Sequence, residues 1–373
     1  MTQRRHVLFV AGPAPLGGSN RSLVTLLEGL EGQVTRVLAA PGKGAFVAMV
    51  RDRGLADAYV DLPRLPGRQQ EIAAPLRRLV QVLASLRVVL TAVRYRRQLA
   101  AIHANATTGL NLALPAAVVT RVPVTVWVHD PVGSEWGRRL GPLWRRVLPK
   151  VTWAAVSTTA TEVAVENGLC QASDVHIVPN PIDPRDVVAP RPPPGDRVTV
   201  GYLSAPTWRK GFDLLPDIVE SLADLPLEWK LFTSRNPSDF NEPVWARLDA
   251  LPQVTLEQPQ IDVRRVYERC DVVLIPSRQE SFSRITAEAM LNGIPVVATD
   301  LPPIRDMLST GAGTVFAVED VAAAAAAVRR FAEDAALRRS AGVEGATRAR
   351  RFSPDAVTAE MLALYGVEPA TVA

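Results

Sequence analysis

The sequence predicts an α/β protein of two domains, each built on an open parallel sheet, the two sheets facing across a cleft. Three observations carry this prediction. The chain has 373 residues, and roughly 100 to 200 residues per domain makes that two domains. Short runs rich in β-branched residues alternate with longer stretches of helical period, the pattern of βα units around parallel sheets. Residues 179–196, PNPIDPRDVVAPRPPPGD, contain seven prolines, too many for a sheet interior, and read as a semi-rigid connector. Ligands of this architecture bind outside the carboxyl ends of the strands.

In the first half strands are expected at 7–11, 33–39, 101–104, 124–129 and 153–157. In the second half they are expected at 198–203, 229–233, 254–257, 272–276, 295–299 and 314–317. The alanine run 322–327 belongs to a helix and carries no chemistry. Residues 1–15, MTQRRHVLFVAGPAP, place Arg4 and Arg5 before an apolar stretch, as a secretory leader does. That stretch is shorter than the roughly 7 to 15 residues of a leader core, and a buried first strand explains it equally well.

Hydrophobic residues make up 47% of the chain and charged residues 21%, which excludes disorder and collagen-like or coiled-coil architecture. Cys170 and Cys270 are the only cysteines, so no disulfide framework or CxxC site can form, and a reducing cytoplasm fits best. Charge is uneven. Residues 1–185 hold 22 Lys+Arg against 12 Asp+Glu, or +10, and residues 186–373 hold 20 against 26, or −6. A basic half suits an anionic partner: phospholipid headgroups, a phosphorylated acceptor or nucleic acid.

No apolar run reaches the roughly 18 to 20 residues of a spanning helix; Arg87 interrupts the best candidate, 79–93. Membrane association is therefore expected to be peripheral. Residues 76–100 are apolar at helical spacing with an Arg-rich face, and residues 135–150 interleave Trp with Arg. Both read either as core-packed helices with solvated charges or as segments lying on anionic lipid.

The chemistry concentrates in residues 271–300, DVVLIPSRQESFSRITAEAMLNGIPVVATD. An apolar strand ends at Pro276, a polar loop follows, and a helix over 282–292 stops at Gly293 before the next strand. Glu280 and Glu288 are eight residues apart, the first in the loop and the second inside the helix. The helix start offers free N–H groups to a phosphate, and carboxylates accept hydrogen bonds from sugar hydroxyls.

The E-x7-E spacing inside PSRxESF, followed by EAM and GIPVVATD, resembles the donor-binding signature of the GT-B retaining glycosyltransferases of the GT4-like family. Residues 198–219, VTVGYLSAPTWRKGFDLLPDIV, resemble the family's strand, loop and Lys-Gly helix start. Residues 178–183, VPNPID, resemble its interdomain segment, and residues 298–308, ATDLPPIRDML, its ATxxGGxPE loop.

The resemblance implies two Rossmann-like domains facing across a cleft. It divides the chain into an acceptor-side domain at 1–180, a linker at 181–196, a donor-binding domain at 197–352, and a tail at 353–373 whose helix returns to the first domain. It implies donor contacts from Gly17, Gly18, Arg209, Lys210, Glu280, Ser281, Phe282, Ser283 and Glu288. Of the catalytic set His129, Lys210 and Glu280, Lys210 holds the diphosphate, while Glu280 and His129 meet the donor sugar. Glu288 takes the ribose.

The expected partners are a nucleotide sugar, a glycan, lipid-linked or small-molecule acceptor, and an anionic membrane surface at the inner face. Neither metal nor cofactor is expected, because no DxD ends a strand and no His, Cys or Asp cluster has ligand spacing. The loop with Gly17 and Gly18 lacks GxGxxG, so a nicotinamide site is not supported. The basic residues form no nucleic-acid recognition module.

Several positions depart from the family pattern. Ser204 or Ala205 stands where an Arg is usual, Ser283 where a Gly is usual, Pro302 and Pro303 at the usual two glycines, and Asp306 at the usual Glu. These departures keep open a sugar-nucleotide-binding scaffold with an eroded site; a GT-B sugar-nucleotide epimerase, acting without acceptor, is the other alternative. His103 with Asn105, after another strand, is a further candidate pair.

Overall fold

A computed structural model describes residues 4–12, 17–63, 74–129, 151–166, 168, 170–183, 185, 197–235, 238, 240–257 and 264–369. Asp130, the Trp/Arg stretch 135–150 and residues 184 and 186–196 of the proline-rich segment lie outside them. The chain divides into two compact units. One comprises Met1–Pro181 with Pro354–Ala373, the other Ile182–Ser353.

The first unit carries a seven-stranded sheet of β1 (His6–Ala11), β2 (Thr35–Pro41), β3 (Ala58–Leu62), β4 (Leu99–Asn105), β5 (Val124–Val128), β6 (Val151–Ala155) and β7 (Val175–Ile177). Their spatial order is β3-β2-β1-β4-β5-β6-β7, with every pairing parallel. Helices α1 (Gly18–Gly29), α2 (Ala45–Asp52), α3 (Ala74–Tyr95) and α4 (Ala106–Thr120) are among its crossovers.

The second unit carries β8 (Val198–Tyr202), β9 (Leu227–Phe232), β10 (Val254–Glu257), β11 (Val272–Ile275), β12 (Val296–Thr299) and β13 (Gly313–Phe316), in the order β10-β9-β8-β11-β12-β13 and also all parallel. The predicted fold class, two parallel-sheet α/β domains, is the observed one. In each sheet the order reverses once, between β1 and β4 and between β8 and β11, and such a switch point opens a crevice at the strands' carboxyl ends.

Central strands are continuous apolar runs because both faces are covered; Val7 to Ala11 have no exposed surface. The edge strands β3 and β7 were not expected from the sequence. They are short, AYVDL and VHI, and only partly buried, so neither a buried run nor clean alternation marks them. β2 begins at Thr35 rather than residue 33 because the amides of Gln33 and Val34 still donate to Leu30 O at the end of α1. The second core gathers around Tyr202, Phe212, Trp229 and Trp245; the Phe212 and Trp245 rings are 4.7 Å apart.

The terminal helix Pro354–Tyr365 packs on α1, where a Cβ at Gly29 would come within 2.2 Å of Thr358 Oγ1. It also bonds to β4. Tyr365 Oη lies 2.8 Å from His103 Nδ1, and the His103 ring is fully buried among Phe9, Trp127 and Tyr365. Burial, helped by His129, pushes the His103 pKa down from 6.5 to about 3. His103 thus acts as a neutral structural side chain.

The unfolded chain binds a proton here below about pH 6.5 and the folded chain does not, so stability falls as the solution is acidified towards pH 3. Each pH unit in that window removes up to ~1.4 kcal/mol. Thermal unfolding followed against pH is expected to have a shallower acid limb in His103→Phe. An identical limb would remove His103 as the cause.

Candidate functional site

In the second unit the site forms where the loops after β8 and β11 meet, at the switch point. β8 leads through residues 203–207 into a short 3-10 turn, Trp208–Lys210. Gly211 follows with φ 65°, and a Cβ there would lie 1.9 Å from Pro276 O. Only glycine permits that backbone approach, which sets Lys210 beside the loop after β11.

Lys210 Nζ lies 2.6 Å from Glu280 Oε1, and the same oxygen accepts from Ser277 Oγ at 2.8 Å. The two charged side chains are 16% and 7% exposed. Among the described residues Glu280 Oε2 has no partner. The ammonium carries three donors and spends one here. The pair therefore presents one acceptor and two donors.

Arg278 ties the two loops together. Its guanidinium grips Asp213 at 2.7 and 2.8 Å, donates to Glu319 Oε1 at 2.6 Å and to Trp208 O at 2.7 Å, and stacks 4.6 Å from the Trp208 ring. Hydrogen bonding to Asp213 raises the Arg278 pKa, against the opposing effect of burial. Sequence reasoning passed over Arg278 as part of PSR. The signal was the pairing of PSR with an Asp three residues after Lys210, a fork-shaped cation matched to a carboxylate.

Arg209 is exposed, and among the described residues its side chain makes no hydrogen bond or ion pair. Ser204 is buried and Ala205 exposed, so no cation stands at the position where the family pattern has an Arg. Instead Ala205 O accepts from Tyr202 Oη at 3.0 Å.

The helix expected over 282–292 is shorter, Arg284–Leu291. Phe282 is buried edge-on to Phe352 at 5.4 Å, and Ser281 is half-buried. Ser283 caps the helix with φ 67°, the left-handed region, where glycine is favoured. Its Oγ lies 2.8 Å from Thr286 Oγ1. Ser283→Ala and Ser283→Gly both lose that contact, but only glycine relieves the backbone. Ser283→Gly is expected to be the more stable of the two by ~1 kcal/mol, and equal melting temperatures would exclude strain at this residue.

Glu288 is buried one turn further on. Tyr267 Oη donates to its Oε2 at 2.8 Å, and Arg284 lies against its Oε1 at 3.1 Å. Burial, reinforced by Glu288, holds the Tyr267 phenol protonated. Each carboxylate oxygen keeps a second lone pair. Pro302 and Pro303 open the helix Pro302–Leu308; proline lacks an N–H, so that turn offers fewer backbone donors than glycines would. Asp306 is exposed.

In the first unit Gly17 caps α1 with extended backbone and no side-chain bond, and Gly18 is the first helical residue. Ser19 and Asn20 lie inside the helix. Asn20 is buried, and its Oδ1 accepts from Asn105 Nδ2 at 3.1 Å.

His129 follows β5 and is buried. Its Nδ1 lies 2.9 Å from Asn180 Oδ1 and its Nε2 3.1 Å from Asn105 Oδ1, while Ser22 Oγ donates to Asn180 Oδ1 at 2.8 Å. Ser22, Asn180 and Asn105 thus surround the one histidine placed by the sequence at this strand end. Sequence reasoning had noted Asn105 beside His103 and Asn180 inside VPNPID, but not that both meet His129. Residues 24, 51 and 75 positions apart are joined only by the β1, β4 and β5 neighbourhood and the segment after β7.

Among the described residues no three His, Cys, Asp or Glu side chains group as metal ligands, and no helix is long and apolar enough to cross a membrane.

Two doubly wound units with seven- and six-stranded parallel sheets make the fold that of the GT-B class. The glycosyl transferases group 1 family profile matches residues 196–334. Among solved structures, Anabaena Alr3699/HepE in complex with UDP and glucose aligns at TM-score 0.78, 18% identical, over 97% of this chain and 99% of that one. WaaG, a glycosyltransferase involved in lipopolysaccharide biosynthesis, aligns at TM-score 0.66 and 13% identity, over 96% and 99%.

Among curated proteins, D-inositol 3-phosphate glycosyltransferase of Mycobacterium marinum is 39% identical over 28% of this chain and 22% of its own length. The lipopolysaccharide core biosynthesis mannosyltransferase LpsB of Rhizobium meliloti is 24% identical over 44% and 50%. The chain thus spans between about a fifth and a half of these curated relatives. Residues 196–334 thus match the glycosyl transferases group 1 family, and the fold of the chain matches that of GT-B glycosyltransferase structures.

Proposed function

We propose that this chain is a metal-independent, retaining glycosyltransferase of the GT4-like group. It moves a hexosyl unit from a nucleoside-diphosphate sugar to a glycan, lipid-linked or small-molecule acceptor. The observation that carries the reading is the Lys210–Glu280 pair at the second unit's switch point, with an acceptor oxygen and two ammonium donors unspent. UDP in HepE supports a uridine nucleotide as the first donor to try.

Cleaving the anomeric C–O bond builds positive charge on the sugar and negative charge on the departing diphosphate. A fixed cation beside the diphosphate stabilises that state more than the ground state. Lys210 supplies it, and Arg209, with its side chain unspent, supplies the second charge. Glu280 Oε2 accepts from a donor sugar hydroxyl. Glu288 takes ribose hydroxyls on its remaining lone pairs, beside Tyr267 and Arg284. Ser281, Phe282 and Ser283 shape the loop between the two carboxylates.

His129 orients the donor sugar once one of its two Asn partners lets go. The loop at Gly17 and Gly18 lets backbone amides approach a phosphate.

Incubation with UDP-, GDP- and ADP-sugars, with and without lipid or glycan acceptors, tests the reading. Acceptor-dependent nucleotide release is expected. A changed sugar without acceptor would mean an epimerase, and binding without turnover a scaffold; either result overturns the transferase reading.

A further inference from the structure

α3 is packed the wrong way round for a core helix. It lies on α4, β1 and β3, and the residues it buries completely are the small Ala84, Val88 and Ala92, four apart. Its large residues face outward. Leu76, Leu79, Leu83, Leu86, Leu90 and Val93 are 45% to 59% exposed, and Val82 is 62% exposed. At ~100° per residue these seven fall in one arc of about 120°, centred opposite the Ala84–Val88–Ala92 line. They are seven of the thirteen exposed large hydrophobic residues among the described ones, so the apolar surface is concentrated on one helix.

The charge that α3 itself carries has one sign. α3 has no Asp or Glu in its 22 residues. Arg87 and Arg94 border the arc on one side and Arg78 on the other by the same helical arithmetic, and all three are exposed. Arg96 and Arg97 follow directly.

A second copy of α3 is a poor occupant. It would set Arg beside Arg with no carboxylate to answer, and the arc is wider than a coiled-coil seam. An anionic bilayer surface fits both features, since it accepts a broad apolar face while its phosphates meet the flanking guanidiniums.

We propose that the outward face of α3 docks the protein on an anionic phospholipid surface, its leucines entering the acyl boundary and Arg78, Arg87 and Arg94 contacting headgroup phosphates. This inference does not depend on the glycosyl-transfer reading. It concerns a helix that carries none of the residues proposed for donor binding.

The test is sedimentation of the full chain with vesicles of phosphatidylcholine, with and without phosphatidylglycerol. Expected is binding that needs phosphatidylglycerol, weakens at high salt and falls at least ~10-fold in Leu83→Glu/Leu86→Glu. Both residues are exposed, so circular dichroism and UDP titration of that variant should match the parent. No binding at low salt would overturn the proposal, as would binding that the double variant leaves unchanged. So would a dimer, seen by light scattering, that the double variant turns into monomer, for then the face belongs to a second copy.

Discussion

Lys210→Ala is expected to lower turnover by about 10²- to 10³-fold, the usual loss when one preorganised donor to a developing negative charge is removed. The effect should fall on kcat as well as kcat/KM, because the ammonium meets a charge that grows as the glycosidic bond breaks. Stability should fall too. Glu280 is left mostly buried with Ser277 as its remaining hydrogen-bond partner, and a buried carboxylate that loses its counter-charge costs about 1 to 3 kcal/mol. Circular dichroism should still report a folded chain. Parent-like turnover by purified Lys210→Ala would remove this residue from the phosphate role.

Glu280→Gln separates the two halves of the pair. Glutamine keeps the shape and a carbonyl acceptor for Ser277 or Lys210, but its amide cannot hold the ammonium by charge. Lys210 is then released to a ligand phosphate, so UDP alone should bind about 3- to 10-fold more tightly, corresponding to ~1 kcal/mol of competing ion pair. Turnover should drop about 100-fold, because the acceptor for the sugar hydroxyl is weakened. Calorimetry with UDP and steady-state kinetics on the same preparation decide it. Weaker UDP binding together with lost turnover would mean that Glu280 organises the loop rather than meeting the sugar.

Much of this architecture was legible beforehand because parallel strands buried on both faces leave continuous apolar runs. The edge strands β3 and β7 were not, since half-exposed edges of three to five residues carry no such run. At the site, the place of Glu280 in a loop and of Glu288 inside a helix was legible through loop-to-helix spacing, and Lys210 was singled out only through the family resemblance. The work of Arg278 was not. Its partners Asp213 and Glu319 lie 65 and 41 positions away, and no local pattern connects them. The departures divided in an instructive way. Ser283 occupies a backbone conformation that suits glycine, whereas Pro302 and Pro303 sit where proline is tolerated at a helix start.

Taken alone, the order of residues settled that strands and helices alternate, that both halves build parallel sheets, and which few charged residues end up at strand tips. Those features follow from local periodicity, from the freedom of glycine backbones and from the stiffness of proline backbones. Folding in three dimensions settled which tips become neighbours. Lys210 reaches Glu280 across 70 positions only because β8 lies beside β11 and Gly211 lets the two loops touch. It also settled which side of α3 faces outward. Helical spacing fixes the angle between side chains but not the direction of the core, and here the core took the alanines and left the leucines in the open.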